Sequence, residues 1–595
     1  MAASVIRRRR EGTGVNLIIE KNVMVPMRDG VRMATDVYRP EGDGPFPVLV
    51  QRLPYGKEVP GLRNLSFDVL RGAQAGYAVV VQDTRGRFAS EGEFNPFFDE
   101  AADGADTVAW AAAQPWSTGR VGMIGGSYFG ATQWLAAGQA PPALAAIAPF
   151  VTTDQYYEGW AYQGGAFQLG FNLHWTLSAL GLAELQRRLV AGSATPEQFG
   201  ALVAAVDANE ELYRRTPLRG LPELKGIAPY YDDWLDHPSY DGFWRSCAPR
   251  EHYGDITVPA LNMGGWYDLF LKGTIANYTG MRAAGGSAAA RDLQRLVIGP
   301  WAHGPVSGWF PERGFGLLSG ADAADVTGMQ LRWFDHLLKG EDNGFEGDKP
   351  VRVFVMGAGV WRDEDDWPLP GTEFVDYHLG GEGRANTAAG DGTLGTAPPA
   401  GTAYDAYLYD PRDPVPTVGG GTFLPGLNVG VNAGPRDQRE VERRADVLCY
   451  TTEPLAEPLE VIGPVEAVLH VSSSAPDTDF TAKLVDVHPD GRAENLADGI
   501  LRVRYRESLS EPRLMEPGQV YEVRVDLVAT ANLFRAGHRI RLEVSSSNFP
   551  RFDRNTNTGG TIAEESAEDF RPALNRVHHG GEHRSRLVLP VIRRR

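Results

Sequence analysis

Cysteine is scarce in this chain, and its scarcity excludes two kinds of protein. Among 595 residues there are 2 cysteines, Cys247 and Cys449. They lie far apart in the sequence, so they indicate neither a disulfide framework nor a cysteine metal site. The only local histidine cluster is His578, His579 and His583, with Glu582 as its acidic neighbour. We therefore expect neither a metal nor a cofactor.

An excess of basic residues and a long apolar run are missing as well. The net charge of -18 argues against nucleic acid as a partner, because its binding requires a basic surface. No apolar run approaches the roughly 20 residues that cross a bilayer. The basic residues 7–10 are followed by Glu11-Gly12-Thr13-Gly14 instead of the apolar segment of a secretory signal. These absences favour a cytoplasmic protein that binds neither nucleic acid nor membrane.

The most informative segment that is present is Gly125-Gly126-Ser127-Tyr128-Phe129-Gly130. It follows an apolar run at 121–124, which predicts a strand, and precedes residues 131–137, which predict a helix. A serine at a tight strand-to-helix turn between small residues is typical of a nucleophile elbow. Phe129 stands where the usual second glycine would be, and the glycine comes one residue later. An ordinary glycine-rich turn is the alternative interpretation.

Two later segments end in residues that could complete a catalytic site. Residues 258–268 predict a buried strand that ends at Asp268, and residues 296–304 predict another that leads to His303. Serine, aspartate and histidine follow one another in the chain order of α/β-hydrolase triads. In that arrangement His303 accepts the proton of Ser127, and Asp268 orients the imidazole. Taken singly, the histidine could be a solvated loop residue and the aspartate a cap or a turn.

The order of predicted elements indicates an α/β fold followed by a β-rich tail. Strands predicted at 23–38 (a hairpin), 46–52 and 77–82 alternate with a helix at 100–113, which favours a mostly parallel sheet. We expect an α/β-hydrolase core at 1–150 and 246–355, interrupted by a helical lid at 151–245. Helices are predicted there at 180–190 and 196–212, and a structural insertion away from the site is the alternative.

After residue 350 the pattern changes to short strands separated by turns rich in Gly, Pro and Asp. Strands are predicted at 351–356, 404–409, 467–471, 481–487, 521–527 and 540–544. Many short strands without helices favour a β-sandwich of jelly-roll type. We assign it residues 356–595.

Acyl transfer also needs donors for the oxyanion of the tetrahedral intermediate. The backbone N–H of Tyr128, next to the candidate nucleophile, is one. The second should lie in the loop after an early strand, where no run of glycines supplies an amide and Tyr55 could offer its phenol. A packing role for Tyr55 is the alternative.

These motifs together resemble the bacterial cocaine esterases, within the wider group of X-Pro dipeptidyl-peptidase-like serine hydrolases. The resemblance extends over nearly the whole chain, and its motifs are Pro54-Tyr55, Gln82-Asp83-Thr84-Arg85-Gly86, Gly125-x-Ser127-Tyr128-x-Gly130, Gly265-Trp266-Tyr267-Asp268 and Gly299-Pro300-Trp301-x-His303. It implies a hydrolase core, a helical lid and a C-terminal jelly roll. It also implies a Ser127–Asp268–His303 triad and an oxyanion hole formed by Tyr55 and the Tyr128 amide.

The same resemblance implies an acyl pocket. It assigns Trp160 and Trp175 of the lid, Phe270 after the catalytic acid, and Phe423 and Leu424 of the jelly roll to the surroundings of an aryl acyl group. Large rigid rings bury such a group well. The alternative is that they are ordinary core aromatics. A homodimer is implied by the resemblance alone.

Three functions compete. The first is a serine esterase that cleaves small or aromatic acyl esters, such as benzoyl esters of the cocaine type, through an acyl-enzyme. The second is an α-amino-acid ester hydrolase or X-Pro dipeptidyl-peptidase, which needs carboxylates near the site to hold an ammonium group. Leu269, Phe270 and Leu271 after the acid are apolar and disfavour it, although Asp154 or Glu158 could substitute. The third is a carbohydrate-binding or adhesion protein, which would leave the triad without a role.

Overall fold

The computed structural model describes residues 4–8, 15–42, 44–424 and 432–593. Residues 9 and 10 of the basic cluster lie outside them. Among the described residues, no helix combines the length and the hydrophobicity needed to cross a membrane.

The described residues up to 150 form four strands and then alternate between helices and strands, and the predicted strands at 46–52 and 77–82 and helix at 100–113 are confirmed. The strands are β1 (Ser4–Arg8), β2 (Leu17–Pro26), β3 (Arg32–Pro40), β4 (Phe46–Leu53), β5 (Ala78–Asp83), β6 (Ser117–Gly126) and β7 (Leu144–Phe150). The helices are α1 (Pro60–Arg63), α2 (Val69–Gln74), α3 (Glu100–Ala112) and α4 (Tyr128–Ala137). Every residue of β5 and seven of the eight residues of β4 are buried, as expected for strands covered on both faces.

Residues 151–245, here called the helical segment, begin with a small hairpin of β8 (Tyr162–Gln163) and β9 (Ala166–Phe167). Its α-helices are α5 (Leu169–His174), α6 (Leu182–Val190), α7 (Pro196–Asp207), α8 (Asn209–Arg214), α9 (Tyr230–Asp236) and α10 (Gly242–Arg245), and residues Trp175–Gly181 form a π-helix between α5 and α6. The single helix predicted at 196–212 is therefore wrong. It breaks at Ala208, whose ψ of 22° departs from helical geometry.

The chain then returns to the first sheet with β10 (Leu261–Tyr267), β11 (Arg295–Ala302), β12 (Val351–Val355) and β13 (Val360–Glu364), and with helices α11 (Leu271–Ala284), α12 (Ala288–Asp292) and α13 (Val326–Phe334). The order of this 11-stranded sheet is β1-β2-β3-β5-β4-β6-β7-β10-β11-β12-β13. From β5 to β12 neighbouring strands are parallel. The carboxyl ends of β4, β6, β10 and β11 therefore meet at one edge, where ligands of open α/β sheets bind.

The boundary expected at residue 356 comes too early. β13 pairs antiparallel with β12, from Val351 opposite Glu364 to Val355 opposite Val360. The first sheet therefore continues to Glu364, and the β-rich part begins beyond it.

The C-terminal part contains a second 11-stranded sheet. Its strands are β14 (Glu373–Gly380), β15 (Thr393–Gly395), β16 (Ala403–Tyr409), β17 (Leu448–Thr451), β18 (Leu459–Ser473), β19 (Asp479–Val487), β20 (Ala493–Arg502), β21 (Tyr521–Phe534), β22 (Arg539–Ser545), β23 (Ala573–His579) and β24 (Arg586–Ile592). The long strand β18 pairs with β21, β23 and β24, so it joins several parts of the sheet.

The helical segment is attached to the C-terminal part by its hairpin. Backbone N–H of Arg502 donates to the carbonyl of Gly164 at 2.8 Å. A Cβ on Gly164 would lie 2.0 Å from the carbonyl oxygen of Ile500, and Gly164 has a φ of +54°. Nearby, Nζ of Lys272 in α11 lies 2.8 Å from both Glu158 and Asp526, which connects all three parts of the molecule.

We expect Gly164→Ala to destabilise the protein far more than Gly192→Ala. Both glycines have a positive φ, but nothing lies within 4 Å of a Cβ at Gly192. The alanine at 192 should cost only left-handed strain, about 1 kcal/mol, whereas at 164 the clash with backbone should raise the cost to about 3 kcal/mol. Urea unfolding followed by tryptophan fluorescence measures both. Equal losses would show that the contact with Ile500 contributes nothing.

Candidate active site

Ser127 sits in a strained turn between β6 and α4. Its φ of 57° and ψ of -124° place a non-glycine residue in a backbone region that L-residues avoid. A Cβ at Gly125 would lie 2.4 Å from Cβ of Phe129, so glycine is required two residues before the serine. A Cβ at Gly130 would lie 2.7 Å from Cβ of Thr152. Glycine is therefore needed at 130 instead of 129, because the chain after β7 packs against α4 at residue 130.

The structure brings the three candidate triad residues together. Ser127 Oγ lies 3.0 Å from Nε2 of His303, and Nδ1 of the same imidazole lies 2.8 Å from Oδ1 of Asp268. Asp268 follows β10 and His303 follows β11, so neighbouring parallel strands deliver them. At 7%, 4% and 4% exposure, Ser127, Asp268 and His303 are nearly sealed from water. Low solvent access strengthens the electrostatic interaction within this chain of hydrogen bonds.

Both predicted oxyanion donors lie close to the elbow. Tyr128 is the first residue of α4, so its N–H has no acceptor within the helix. The Tyr55 ring packs against Phe129 at 5.6 Å, and its hydroxyl accepts a hydrogen bond of 2.8 Å from Nε1 of Trp175. Because the indole is the donor, the phenol retains its own proton to donate elsewhere.

The side chain of Tyr128 is held by a buried network of hydrogen bonds. Its hydroxyl donates to Glu100 at 2.9 Å and accepts from the backbone N–H of Phe97 at 3.1 Å. Glu100 in turn accepts from Arg52 at 2.6 Å. Burial raises the pKa of Glu100, an effect that the Arg52 charge opposes. This buried network fixes the side chain of the residue that directly follows the candidate nucleophile.

Aromatic rings surround His303. Phe270 and Phe423 meet the imidazole edge-on, at centroid distances of 4.9 Å and 5.1 Å. Trp160 stacks on Phe270 at 4.3 Å and meets Trp175 at 5.3 Å. Four of the five residues expected in the acyl pocket therefore form one cluster beside His303. The fifth, Leu424, belongs to the same buried cluster and lies against Gly170 of α5, where a Cβ would be 2.5 Å from its Cδ2.

Phe171 is a further ring of this cluster, which the sequence did not identify. Phe171 stacks on Trp175 at 5.7 Å and contacts Trp160, Phe270 and Phe423 at 5.7, 5.6 and 5.6 Å. It therefore lies among all four predicted pocket rings. Its spacing of four residues before Trp175 places both on one helix face, which is the signal that could have identified it.

The carboxylates that could hold an ammonium group already have cationic partners. Glu158 accepts from Lys272 at 2.8 Å, and Asp154 lies 3.5 Å from Arg250. Burial raises the pKa of Asp154 to about 6, against the pull of the arginine. Neither carboxylate takes part in the hydrogen bonds or ring contacts described above for the site. The arrangement therefore provides an apolar surrounding for the reacting centre.

Comparisons with known proteins agree with this arrangement. Residues 29–305 match the family model described as X-Pro dipeptidyl-peptidase (S15 family), and residues 343–588 match the X-Pro dipeptidyl-peptidase C-terminal non-catalytic domain. The chain is 47% identical over 582 residues to a cocaine esterase of Rhodococcus sp. (strain MB1 Bresler), with 97% of this chain and 99% of that protein covered.

Solved structures share the fold over nearly the full length. An aminopeptidase of a marine sediment archaeon (Thaumarchaeota archaeon) has a TM-score of 0.79 at 29% identity, with 99% of this chain and 96% of that chain covered. An α-amino acid ester hydrolase has a TM-score of 0.78 at 27% identity, with 98% of both chains covered. The core is therefore α/β-hydrolase-like, with a β-rich C-terminal domain.

We expect a fluorophosphonate to label Ser127 selectively, because its hydroxyl has a base at 3.0 Å. Asp268→Asn should slow labelling by about two to four orders of magnitude, since the imidazole loses its orienting carboxylate. Asp241→Asn is the matched control, because Asp241 pairs with His237 at 2.6 Å outside the site. Mass spectrometry of the labelled peptide measures the rate. Equal slowing in both variants would mean that Asp268 has no specific role in activating Ser127.

Proposed function

This chain belongs to the X-Pro dipeptidyl-peptidase (S15) family and is a serine hydrolase related to cocaine esterase, and from that premise we propose that it cleaves carboxylic esters with small acyl groups. The hydrogen-bonded series Ser127–His303–Asp268 at a strained elbow carries this proposal. Its surroundings are aromatic and apolar, which suits an uncharged ester better than a substrate that carries an ammonium group.

The proposed reaction has two steps through an acyl-enzyme. Nε2 of His303 accepts the proton of Ser127 as the hydroxyl attacks the ester carbonyl, and Asp268 stabilises the imidazolium. Tyr55 O–H and Tyr128 N–H donate to the oxyanion. His303 then returns the proton to the leaving alcohol. Water, deprotonated by the same imidazole, releases the carboxylic acid and restores Ser127.

We propose that the helical segment serves as the lid of this site. Three of the rings near His303, namely Trp160, Phe171 and Trp175, come from it, and Phe423 comes from the β-rich domain. The antiparallel pairing of that domain supports the proposed jelly roll. A site closed by three parts of the chain separates the reacting groups from bulk water, which strengthens the electrostatic interactions among them.

The packing of Phe171 supports a preference for small acyl groups. Trp160 and Phe270 are in direct stacking contact at 4.3 Å, which leaves no layer between them for a third ring. Phe171 occupies the space on the side of Trp175 and Phe423. A benzoyl group needs more room among these buried rings than an acetyl group does, so their close packing favours the smaller acyl group.

We expect Tyr55→Phe to lower kcat by about 10²–10³ with little change in KM, because the phenol would act only on the developing oxyanion. Trp175→Phe should give a smaller loss of kcat, since it removes the hydrogen bond that orients Tyr55 but leaves the phenol in place. Tyr404→Phe, at an exposed tyrosine of the β-rich domain, is the control. Steady-state kinetics with p-nitrophenyl acetate measures kcat and KM for the wild type and the three variants. Unchanged kcat in Tyr55→Phe would exclude the phenol as an oxyanion donor.

We expect kcat/KM to fall from acetate to butyrate to benzoate esters, and Phe171→Ala to raise the benzoate value at least tenfold. The substitution removes the ring that fills the pocket. Phe243→Ala is the matched control, because Phe243 lies in the same segment and its ring contacts are Phe98, His237 and Trp244. Ser127→Ala gives the background.

Other outcomes of this assay would contradict parts of the proposal. A wild-type enzyme that cleaves benzoate as fast as acetate would refute the role of Phe171. Faster cleavage of an amino-acid ester or an X-Pro anilide, dependent on Ser127, would favour an activity like those of the two structural relatives. It would mean that Asp154 or Glu158 exchanges its basic partner for the substrate.

A further inference from the structure

Folding brings two histidines and an aspartate together at one end of the β-rich domain. Asp486, His488 and His538 each offer a ligand atom, and the three atoms lie within 4.8 Å of one another. The histidines are separated by 50 positions in the sequence. The cluster at 578–583 was therefore not the only one, and a local scan of the sequence missed this second one.

Strand register explains why these side chains meet. Asp486 in β19 pairs with Glu494 of β20 on one side and with Ile540 of β22 on the other. His488 lies two residues after Asp486, and His538 lies two residues before Ile540. His488 lies just after β19 and His538 just before β22, and because side chains alternate with a period of two, both are directed toward the face from which Asp486 projects.

The contacts within the cluster match those of a metal-binding histidine. His538 Nδ1 lies 2.8 Å from Asp486 Oδ1, and the two imidazole rings are 4.4 Å apart. His488 Nδ1 faces the Arg492 guanidinium at 3.1 Å, while its Nε2 lies 3.4 Å from Glu494. A neutral His488 that accepts from Arg492 carries its proton on Nε2, toward the carboxylate. Metal-bound histidines commonly have a carboxylate beside the second ring nitrogen, and Glu494 takes that place here at 3.4 Å.

We propose that Asp486, His488 and His538 bind a divalent transition-metal ion of the zinc class. Two imidazoles and one carboxylate suit zinc, whereas magnesium and calcium prefer oxygen ligands alone. In this structure the Arg492 guanidinium supplies the positive charge beside His488 Nδ1. Its side chain is 30% exposed, so it can move into water when a metal ion takes that place.

The ion would connect the β19–β20 hairpin to the start of β22. The hydrogen bonds that join Ser127, His303 and Asp268 involve none of these ligands, so we assign the metal site a role in the stability of the β-rich domain. Arg313 belongs to the loop after His303, and its guanidinium lies 3.8 Å from Glu494. The metal site would therefore sit next to the contact between that loop and the β-rich domain.

Calorimetric titration of the EDTA-treated full-length protein with zinc chloride tests the proposal. We expect one equivalent to bind and Tm to rise by about 2–4 °C at saturation, with no such effect from magnesium. His488→Gln and Asp486→Asn should abolish both effects. His578→Gln, at a histidine of similar burial in the same domain, is the matched control and should leave them intact.

Absence of zinc binding by the wild-type protein at about 100 µM would overturn the proposal. Binding by His488→Gln and Asp486→Asn as tight as in the wild type would overturn it too. If a variant does not fold, histidine modification by diethylpyrocarbonate replaces it. Zinc should then protect His488 and His538 in the wild-type protein but not His578, and equal protection of all three would refute the site.

Discussion

The backbone strain at Ser127 is the constraint on which the site depends. A positive φ at a serine is costly, and it persists only where the surroundings enforce it. Here the close approaches of Phe129 to Gly125 and of Thr152 to Gly130 hold the turn. The buried Tyr128–Glu100–Arg52 network fixes the residue that follows. Packing and hydrogen bonds far from water thus set the direction in which one hydroxyl points.

Packing also determines the surroundings of His303, here between separate parts of the chain. The imidazole is held by Asp268 from the first sheet, while rings of the helical segment and of the β-rich domain close around it. No part of the chain builds this environment alone. Trp175 shows the coupling well, because one indole both packs in the ring cluster and donates to Tyr55.

The sequence allowed the elbow, the aspartate and the histidine to be located because each follows a strongly apolar parallel strand. That reasoning did not reach Phe171, because its spacing from Trp175 indicates only a shared helix face, whereas its contacts with Phe270 and Phe423 join separate parts of the chain. Strand β20 was missed because buried polar residues such as Asn495 and Asp498 interrupt its hydrophobic pattern. The cluster of Asp486, His488 and His538 depends on register between strands, which a linear pattern does not contain.

The tight contact at Gly164 limits how such hydrolases can be recombined. The hairpin of the helical segment touches the backbone of Ile500 and donates from Phe167 N–H to Asp553 at 2.9 Å. A helical segment transplanted from another member of the family would have to bring a residue without a side chain to this position, together with its matching β-rich domain. In this chain the helical segment and the β-rich domain fit each other at Gly164, so exchanging them as one unit would preserve this contact.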